Sequence, residues 1–430
     1  MTSTDASGFA VLRNRDFRLF VVARFFAGIA AQMLVIAVGW QVYHLTGRLL
    51  DLGLIGLSQF LPFVVFALIA GHAADRFDRR SILLLCALLQ LVCSALLFMF
   101  ALSRIAHTGP IFAVLAFLGI ARAFQMPTAQ SFMPNLVPVE LLPTAVAINS
   151  SSFQVATIAG PSLGGVVYSF AQSTSGALGG AGWTYLGAGL LLLLSLPMLA
   201  LIRRRGPVRA AAPVSADHLL QGMRFVWRRK TVLGALSLDL FAVLFGGATA
   251  LLPAFTRDVL HAGPAVFGYL RSAPGIGAGV TAVALAIAPL RRRVGITMFA
   301  GVAAFGVATV AFGLTRHFAV AMIALAVLGA GDMISVFIRH VLVQLETPDE
   351  IRGRVSAVNS IFIGASNELG EFESGLTAAW FGLVPAIVFG GVATLVVAGL
   401  WAWPLFPQLR RMQSFDELGE RHPAAPPPPR

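Results

Sequence analysis

Apolar residues run through this chain in blocks of about 20, separated by short polar stretches. Twelve blocks are predicted as helices: 17–45, 50–72, 81–103, 110–134, 143–171, 183–203, 231–256, 264–289, 294–315, 318–344, 352–379 and 383–406. Each is long enough to cross ~30 Å of hydrocarbon as a helix. The runs are continuous rather than alternating, which points to spanning helices and away from a transmembrane β-barrel. The pattern predicts an all-α membrane protein. The longest polar connection, RRRGPVRAAAPVSADHLLQGMRFVWRRK, follows the sixth block. It predicts an N-terminal six-helix bundle (1–203), a linker (204–230) and a C-terminal six-helix bundle (231–410). Within the linker, DHLLQGMRFVW is amphipathic and is expected to form a short helix on the membrane surface. The closing segment 411–430, ending RHPAAPPPPR, has nothing to pack and is expected to be a disordered, proline-rich tail.

Composition agrees. Of 430 residues 57% are hydrophobic and 12% charged, half the roughly 25% charge of a soluble chain. There are 31 Lys and Arg against 19 Asp and Glu, a net charge of +12. Their placement orients the chain. With both termini inside, 23 of the 31 basic residues fall on the inner side, and Arg48, Arg104, Arg257 and Arg316 fall outside. Such a bias puts both termini in the cytoplasm. The positive charge therefore reads as topology, not as a nucleic-acid surface. The two cysteines, Cys86 and Cys93, are seven apart on one helix and too far apart to bridge. The polar start, MTSTDASGFAVLRNRDF, lacks the apolar core of a cleaved signal peptide.

The chain repeats itself. LGIARAFQMPTAQSFMPNLVPVELLPTAVAINS (118–150) aligns with LGAGDMISVFIRHVLVQLETPDEIRGRVSAVNS (328–360) at a constant offset of 210 residues. Spans four and five thus recur as spans ten and eleven. Two parallel six-helix halves are the pattern of a transporter with its substrate path between them.

Charges inside the blocks are the next signal, since an intramembrane arginine costs about 3 kcal/mol on insertion scales and must face a partner or a cavity. Arg24, Arg122, Asp239, Asp332, Arg339, Glu368 and Glu371 all lie within spans. Asp332 falls on Arg122 under the repeat, so the halves carry opposite charges at equivalent points. Arg339, two turns beyond Asp332, is an alternative partner for it. In SNELGEFESG (366–375), Glu368 and Glu371 are about 60° apart on one helical face and Glu373 points roughly the other way. Glu368 and Glu371 are expected to form the proton-responsive pair, and Glu373 to sit near the outer interface. Gln32, Gln41, Asn149, Gln154 and Asn359, with Arg24 and Arg339, are candidates to line a polar path.

Three motifs carry a resemblance. Gly71-His72-Ala73-Ala74-Asp75-Arg76-Phe77-Asp78-Arg79-Arg80 resembles the G-x-x-x-D-R-x-x-R-R loop of the major facilitator superfamily. Leu118 to Gln125 fits its l-x-x-x-R-x-x-q pattern around Arg122, with Met126 where a glycine is usual. Gly160-Pro161-Ser162-Leu163-Gly164-Gly165 resembles the G-P-x-x-G-G antiporter motif, with Ala156 where a further glycine is usual. Spans one and eleven resemble the branch that includes the enterobactin exporter and drug:proton antiporters. The resemblance implies two pseudo-symmetric six-helix bundles in a bacterial inner membrane. It implies export of a siderophore- or drug-like small molecule by proton antiport and alternating access, from a chain acting as a monomer. It implies a gating latch: Gly71 lets helices approach, Asp75 faces a helix N-terminus, and Arg76, Arg79 and Arg80 pair with acids of the other half. It ties Arg122 to proton coupling and Gly160, Pro161, Gly164 and Gly165 to a span that rocks. A lysophospholipid transporter on the same fold is the alternative.

An enzyme is the rival class. Gly329-Ala330-Gly331-Asp332 matches the G-x-G-D of intramembrane aspartyl proteases, whose chemistry needs a second aspartate, usually after a tyrosine. None of Tyr43, Tyr168, Tyr185 and Tyr269 is followed by Asp, and the eight histidines are scattered. No catalytic residue, cofactor or metal is expected.

Overall fold

The computed structural model describes residues 10–103, 107–203, 216–290, 292–348 and 351–415. Each apolar block is helical: α1 (Arg15–Thr46), α2 (Leu49–Arg76), α3 (Arg79–Leu102), α4 (Gly109–Phe132), α5 (142–175), α6 (177–200), α8 (Lys230–Phe245), α9 (Pro264–Ile287), α10 (Val294–Leu314), α11 (Phe318–Glu346), α12 (Arg352–Phe381) and α13 (Leu383–Leu400). The amphipathic linker segment is also a helix, α7 (Ala216–Arg228). Among the described residues there is no strand. The remainder of the expected linker, 204–215, and the expected tail beyond 415 lie outside the described residues.

Two compact units form. One holds residues 1–214 with 249–275, the other 215–248 with 276–430. The expected halves differ from this division in the segment 249–275, which packs with α5: Ser272 Oγ lies 2.9 Å from Ser162 Oγ and donates to Ile158 O at 2.6 Å. Helix pairing repeats in the two halves of the chain. In the first, α1 packs on the α5–α6 stretch and α3 packs on α4 and on that same stretch. In the second, α8 packs on α12, and α10 packs on α11 and α13. These are the equivalent pairs under the 210-residue repeat.

Polar sequence explains where the helices start and stop. Asn14 caps α1, its Oδ1 accepting from Asp16 N at 3.1 Å and its Nδ2 donating to Leu136 O at 2.6 Å. Asp78 caps α3, accepting from Ser81 N at 3.3 Å. Two expected boundaries moved. The connection after span five is helical as well, and α5 and α6 meet at Gly176, whose φ of 77° supplies the only break between them. Span seven is interrupted. Helix α8 ends at Gly246-Gly247, and the chain continues through short turns into a π turn at Phe255–Val259. A close crossing lies at this break: a Cβ at Gly247 would lie 2.4 Å from Gly370 O, so α12 passes this point backbone to backbone. Gly370 belongs to SNELGEFESG, and its own Cβ position is 2.8 Å from Val243 O.

Ten of the described helical segments are long and apolar enough to cross a membrane, and α5 and α12 are not among them. These two are each other's equivalents in the repeat. They carry the polar runs NSSSFQ and SNELGE.

Close crossings set the stability of such a bundle, because helix association in hydrocarbon rests on packing rather than on a hydrophobic drive. A Cβ at position 119 would lie 2.2 Å from Gln59 O, where α4 crosses α2. At Gly71 a Cβ would meet nothing within 4 Å. Gly119→Ala is therefore expected to lower the melting temperature in detergent by several degrees, an overpacking cost of about 1–3 kcal/mol. Gly71→Ala is expected to leave melting unchanged or raise it slightly. Equal melting of the two variants would refute the crossing.

Candidate functional site

The second unit contains a buried cluster of charge. Arg339, from the middle of α11, is 2% exposed. Its Nη1 lies 3.0 Å from Asp239 Oδ2 on α8 and donates to Asn359 Oδ1 on α12 at 3.2 Å. Three helices thus meet on one guanidinium. Its Nε finds no partner among the described residues. Asp332, two turns before Arg339 on α11, lines a small cavity together with Asp239, Ala242, Val243, Val302, Phe305 and Ser335. The cavity measures about 10 Å³, room for about one water and not for an organic molecule. Ser335 Oγ points into this region without a hydrogen-bond partner among the described residues. His340, next along α11, is within electrostatic reach of Asp239.

This arrangement corrects one expectation. Arg339 is the partner of Asp239 on a neighbouring helix, and Asp332 forms no ion pair among the described residues. The cluster therefore holds two carboxylates and one guanidinium. With both acids ionised it carries a net −1, and one proton makes it neutral. Glu368 is buried on α12 and Glu371 half-buried, and neither lines this cavity. Glu373 accepts from Thr377 Oγ1 at 2.7 Å.

The loop between α2 and α3 also departs from its expected role. Arg79 donates to Ser131 O at 3.0 Å and to Ala74 O at 3.1 Å, and Arg80 to Leu199 O at 3.2 Å and to Ala200 O. Ser131 ends α4, and Leu199 and Ala200 end α6. Helix C-termini leave carbonyls unsatisfied and carry partial negative charge. These two arginines supply the missing donors within their own unit, where pairing with acids of the other half was expected. Among the described residues a Cβ at Gly71 would meet nothing within 4 Å, so no close approach is seen there. Arg76 is exposed. The Asp75 side chain lies outside what the structure describes.

Elsewhere in the first unit, Arg122 sits over the Phe63 ring at 5.9 Å and Arg24 over Phe20 at 5.8 Å. The glycines around Pro161 are contact points. Gly160 faces the Gln32 side chain, Gly164 faces Met33, and a Cβ at Gly165 would lie 2.5 Å from Pro264 O. Gln41 accepts from Tyr185 OH at 2.5 Å, and Gln154 donates to Gly275 O at 2.7 Å, so both are engaged in packing hydrogen bonds. Asn149 is half-buried on α5.

Sequence reasoning missed one group. Tyr43 OH donates to Asp258 Oδ2, while Arg257 donates to Tyr43 O at 3.3 Å and lies 5.4 Å from the Tyr43 ring centre. Trp40 stacks on Phe267 at 6.2 Å. These residues join the end of α1 to the 249–275 segment. Each type is ordinary at a membrane interface, so only their meeting in space marks them.

Relatives agree with this architecture. The chain is 26% identical to the enterobactin exporter EntS of Citrobacter koseri over 408 residues, covering 92% of this chain and 93% of the exporter. It is 25% identical to the multidrug efflux pump Tap of Mycolicibacterium fortuitum, covering 88% of this chain and 95% of the pump. Among solved structures, an inward-facing, unoccupied bacterial homologue of the human lysosomal transporter Spinster matches with a TM-score of 0.71 at 16% identity, covering 92% of this chain and 97% of that one. A D-xylose–proton symporter matches with a TM-score of 0.68 at 14% identity, covering 91% of this chain and 98% of that one. The fold is the major facilitator fold of two pseudo-symmetric six-helix bundles, and the protein is a multi-pass membrane transporter, not an enzyme. Residues 6–428 match the transmembrane secretion effector family, MFS_3, and the chain belongs to that family of major facilitator transporters.

Proposed function

We propose that this chain is a proton-driven exporter of a small organic molecule, siderophore- or drug-like, in a bacterial inner membrane with both termini in the cytoplasm. The observation that carries the coupling is the cluster of Asp239, Asp332 and Arg339. Arg339 and Asp239, 3.0 Å apart, form the structural pair. Asp332, facing a one-water cavity, takes up and releases the proton. Loading it changes the cluster between net −1 and neutral, and because α8, α11 and α12 meet there, the change is felt by three helices at once. The positive-inside distribution of Lys and Arg supports the orientation. The names of the relatives, an enterobactin exporter and a multidrug efflux pump, support outward transport and the cargo class. The cargo binds elsewhere, since the cavity beside Asp332 is too small for it. Helices α5 and α12, too polar for a wholly lipid-facing position, are assigned to the path. The protein works as a monomer.

The test uses protein reconstituted in vesicles with an imposed pH gradient, following efflux of a fluorescent dye or labelled siderophore. Asp332→Asn is expected to fold normally and to lose most of the gradient-driven transport, while exchange of cargo without a gradient persists. Asp239→Asn leaves Arg339 without its counter-charge and is expected to cost stability, about 3–5 kcal/mol for a broken buried pair. Gradient-driven transport at the unsubstituted rate in Asp332→Asn would remove that residue from the mechanism. Unsubstituted protein that moves cargo regardless of the gradient would remove proton coupling altogether.

A further inference from the structure

Helix α7 has two faces of different character. One is packed. Val226 is fully buried in a core with Val355 and Val358 of α12. A Cβ at Gly222 would lie 2.7 Å from Arg354 O, so α7 rests directly on the α12 backbone. Gln221 Oε1 accepts from Arg354 Nη1. The other face is open. Leu220 is 57% exposed and Trp227 is 64% exposed, and Arg224 and Arg228 between and beside them are exposed too. At about 100° per residue these four lie within an arc of about 100°. The last turn and the residues after it add Arg229, which sits over the Phe225 ring at 5.9 Å, and Lys230, also exposed. Segment 216–230 carries four basic residues against one acid, Asp217.

Apolar and aromatic side chains interleaved with arginines on one helix face match the interface of a bilayer, with Trp and Leu at the headgroup–acyl boundary and guanidinium groups at phosphates. The helix is also at the right depth, because α8 enters the membrane at Lys230, two residues beyond the end of α7. A similar pairing stands at the end of α13, where Arg410 lies 5.0 Å from the ring centre of Trp403, itself exposed.

We infer that the outer face of α7 is a binding surface for anionic phospholipid headgroups, and that the membrane surface thereby holds the inner end of α12. The charge complementarity is direct: a phosphate of net negative lipid meets Arg224 and Arg228, and the one acid on that side of the helix, Asp217, lies about two turns before Arg224. The consequence reaches inward. Asn359 lies one residue beyond Val358, the α7 contact, and accepts from Arg339. Lipid that fixes α7 fixes the end of the helix that positions this group.

The experiment reads lipid contact and needs no transport, so it stands whether or not the exporter reading holds. Full-length protein is reconstituted in phosphatidylcholine vesicles containing phosphatidylglycerol, with brominated acyl chains placed on one lipid or the other. The signal of Trp227 is the difference between the unsubstituted protein and Trp227→Phe, with Trp227→Tyr as an independent replacement. Quenching of Trp227 is expected to be stronger when phosphatidylglycerol carries the bromine than when phosphatidylcholine does. In Arg224→Gln/Arg228→Gln that preference is expected to vanish, since each basic side chain near an anionic surface is worth about fivefold in local lipid enrichment. Raised salt is expected to weaken it in the unsubstituted protein without any change of sequence. Equal quenching by the two lipids would overturn the headgroup preference. No quenching by either would overturn the membrane contact and leave the face to water or a protein partner.

Discussion

Hydrocarbon offers no hydrogen-bond partner and no counter-ion. This constraint bears on the polar groups buried in the spans, and the protein answers much of it with pairing inside the bundle. The ion pair of Arg339 and Asp239 is the plainest case. A guanidinium this buried is tolerated because a carboxylate from α8 and an amide from α12 meet it. The same constraint explains Arg79 and Arg80, which reach the carbonyls at the ends of α4 and α6. It explains the two polar helices as well. Neither α5 nor α12 is suited to lipid on all sides, and each packs along an apolar partner, α1 or α8.

The charge cluster gains its interest from being unbalanced. Two carboxylates share one guanidinium, and the second carboxylate faces a cavity of about one water. A balanced pair would be structural and nothing more. In the proposed mechanism the extra acid, Asp332 on α11, gives a site whose charge depends on a single proton. Its position where α8, α11 and α12 meet lets that charge bear on helix packing. The crossing of Gly247, just past the end of α8, with Gly370 of α12 involves the same region, and the docking of α7 on α12 is nearer that helix's start.

Much of this was legible from residues alone. Hydrophobic runs located the twelve spans because a spanning helix must be apolar over about 20 residues. The repeat at offset 210 foretold the matching helix pairs. The amphipathic pattern of DHLLQGMRFVW located α7. Asp239, Asp332 and Arg339 were all visible as charges out of place. Their grouping was not, because Asp239 is a hundred residues from Arg339 and no local pattern records which helix faces which. The reading of Arg79 and Arg80 as latch residues missed that helix C-termini in their own unit offer carbonyls at 3.0 Å and 3.2 Å. The close crossing at the break in span seven needs a glycine, Gly247, and that need is set by the distant Gly370. Tyr43 and Asp258 carried no signal at all, since each is common at an interface.

In the proposed mechanism Asp332 is the carboxyl group that gains and loses the proton. Infrared difference spectroscopy of the reconstituted protein, titrated in pH, observes that group directly through the carbonyl stretch of a protonated carboxylic acid. A band is expected that grows as pH falls in the unsubstituted protein, persists in Glu368→Gln and Glu371→Gln, and is missing in Asp332→Asn. A band that persists in Asp332→Asn and disappears in Glu368→Gln or Glu371→Gln would contradict it and move the proton to the acids of α12.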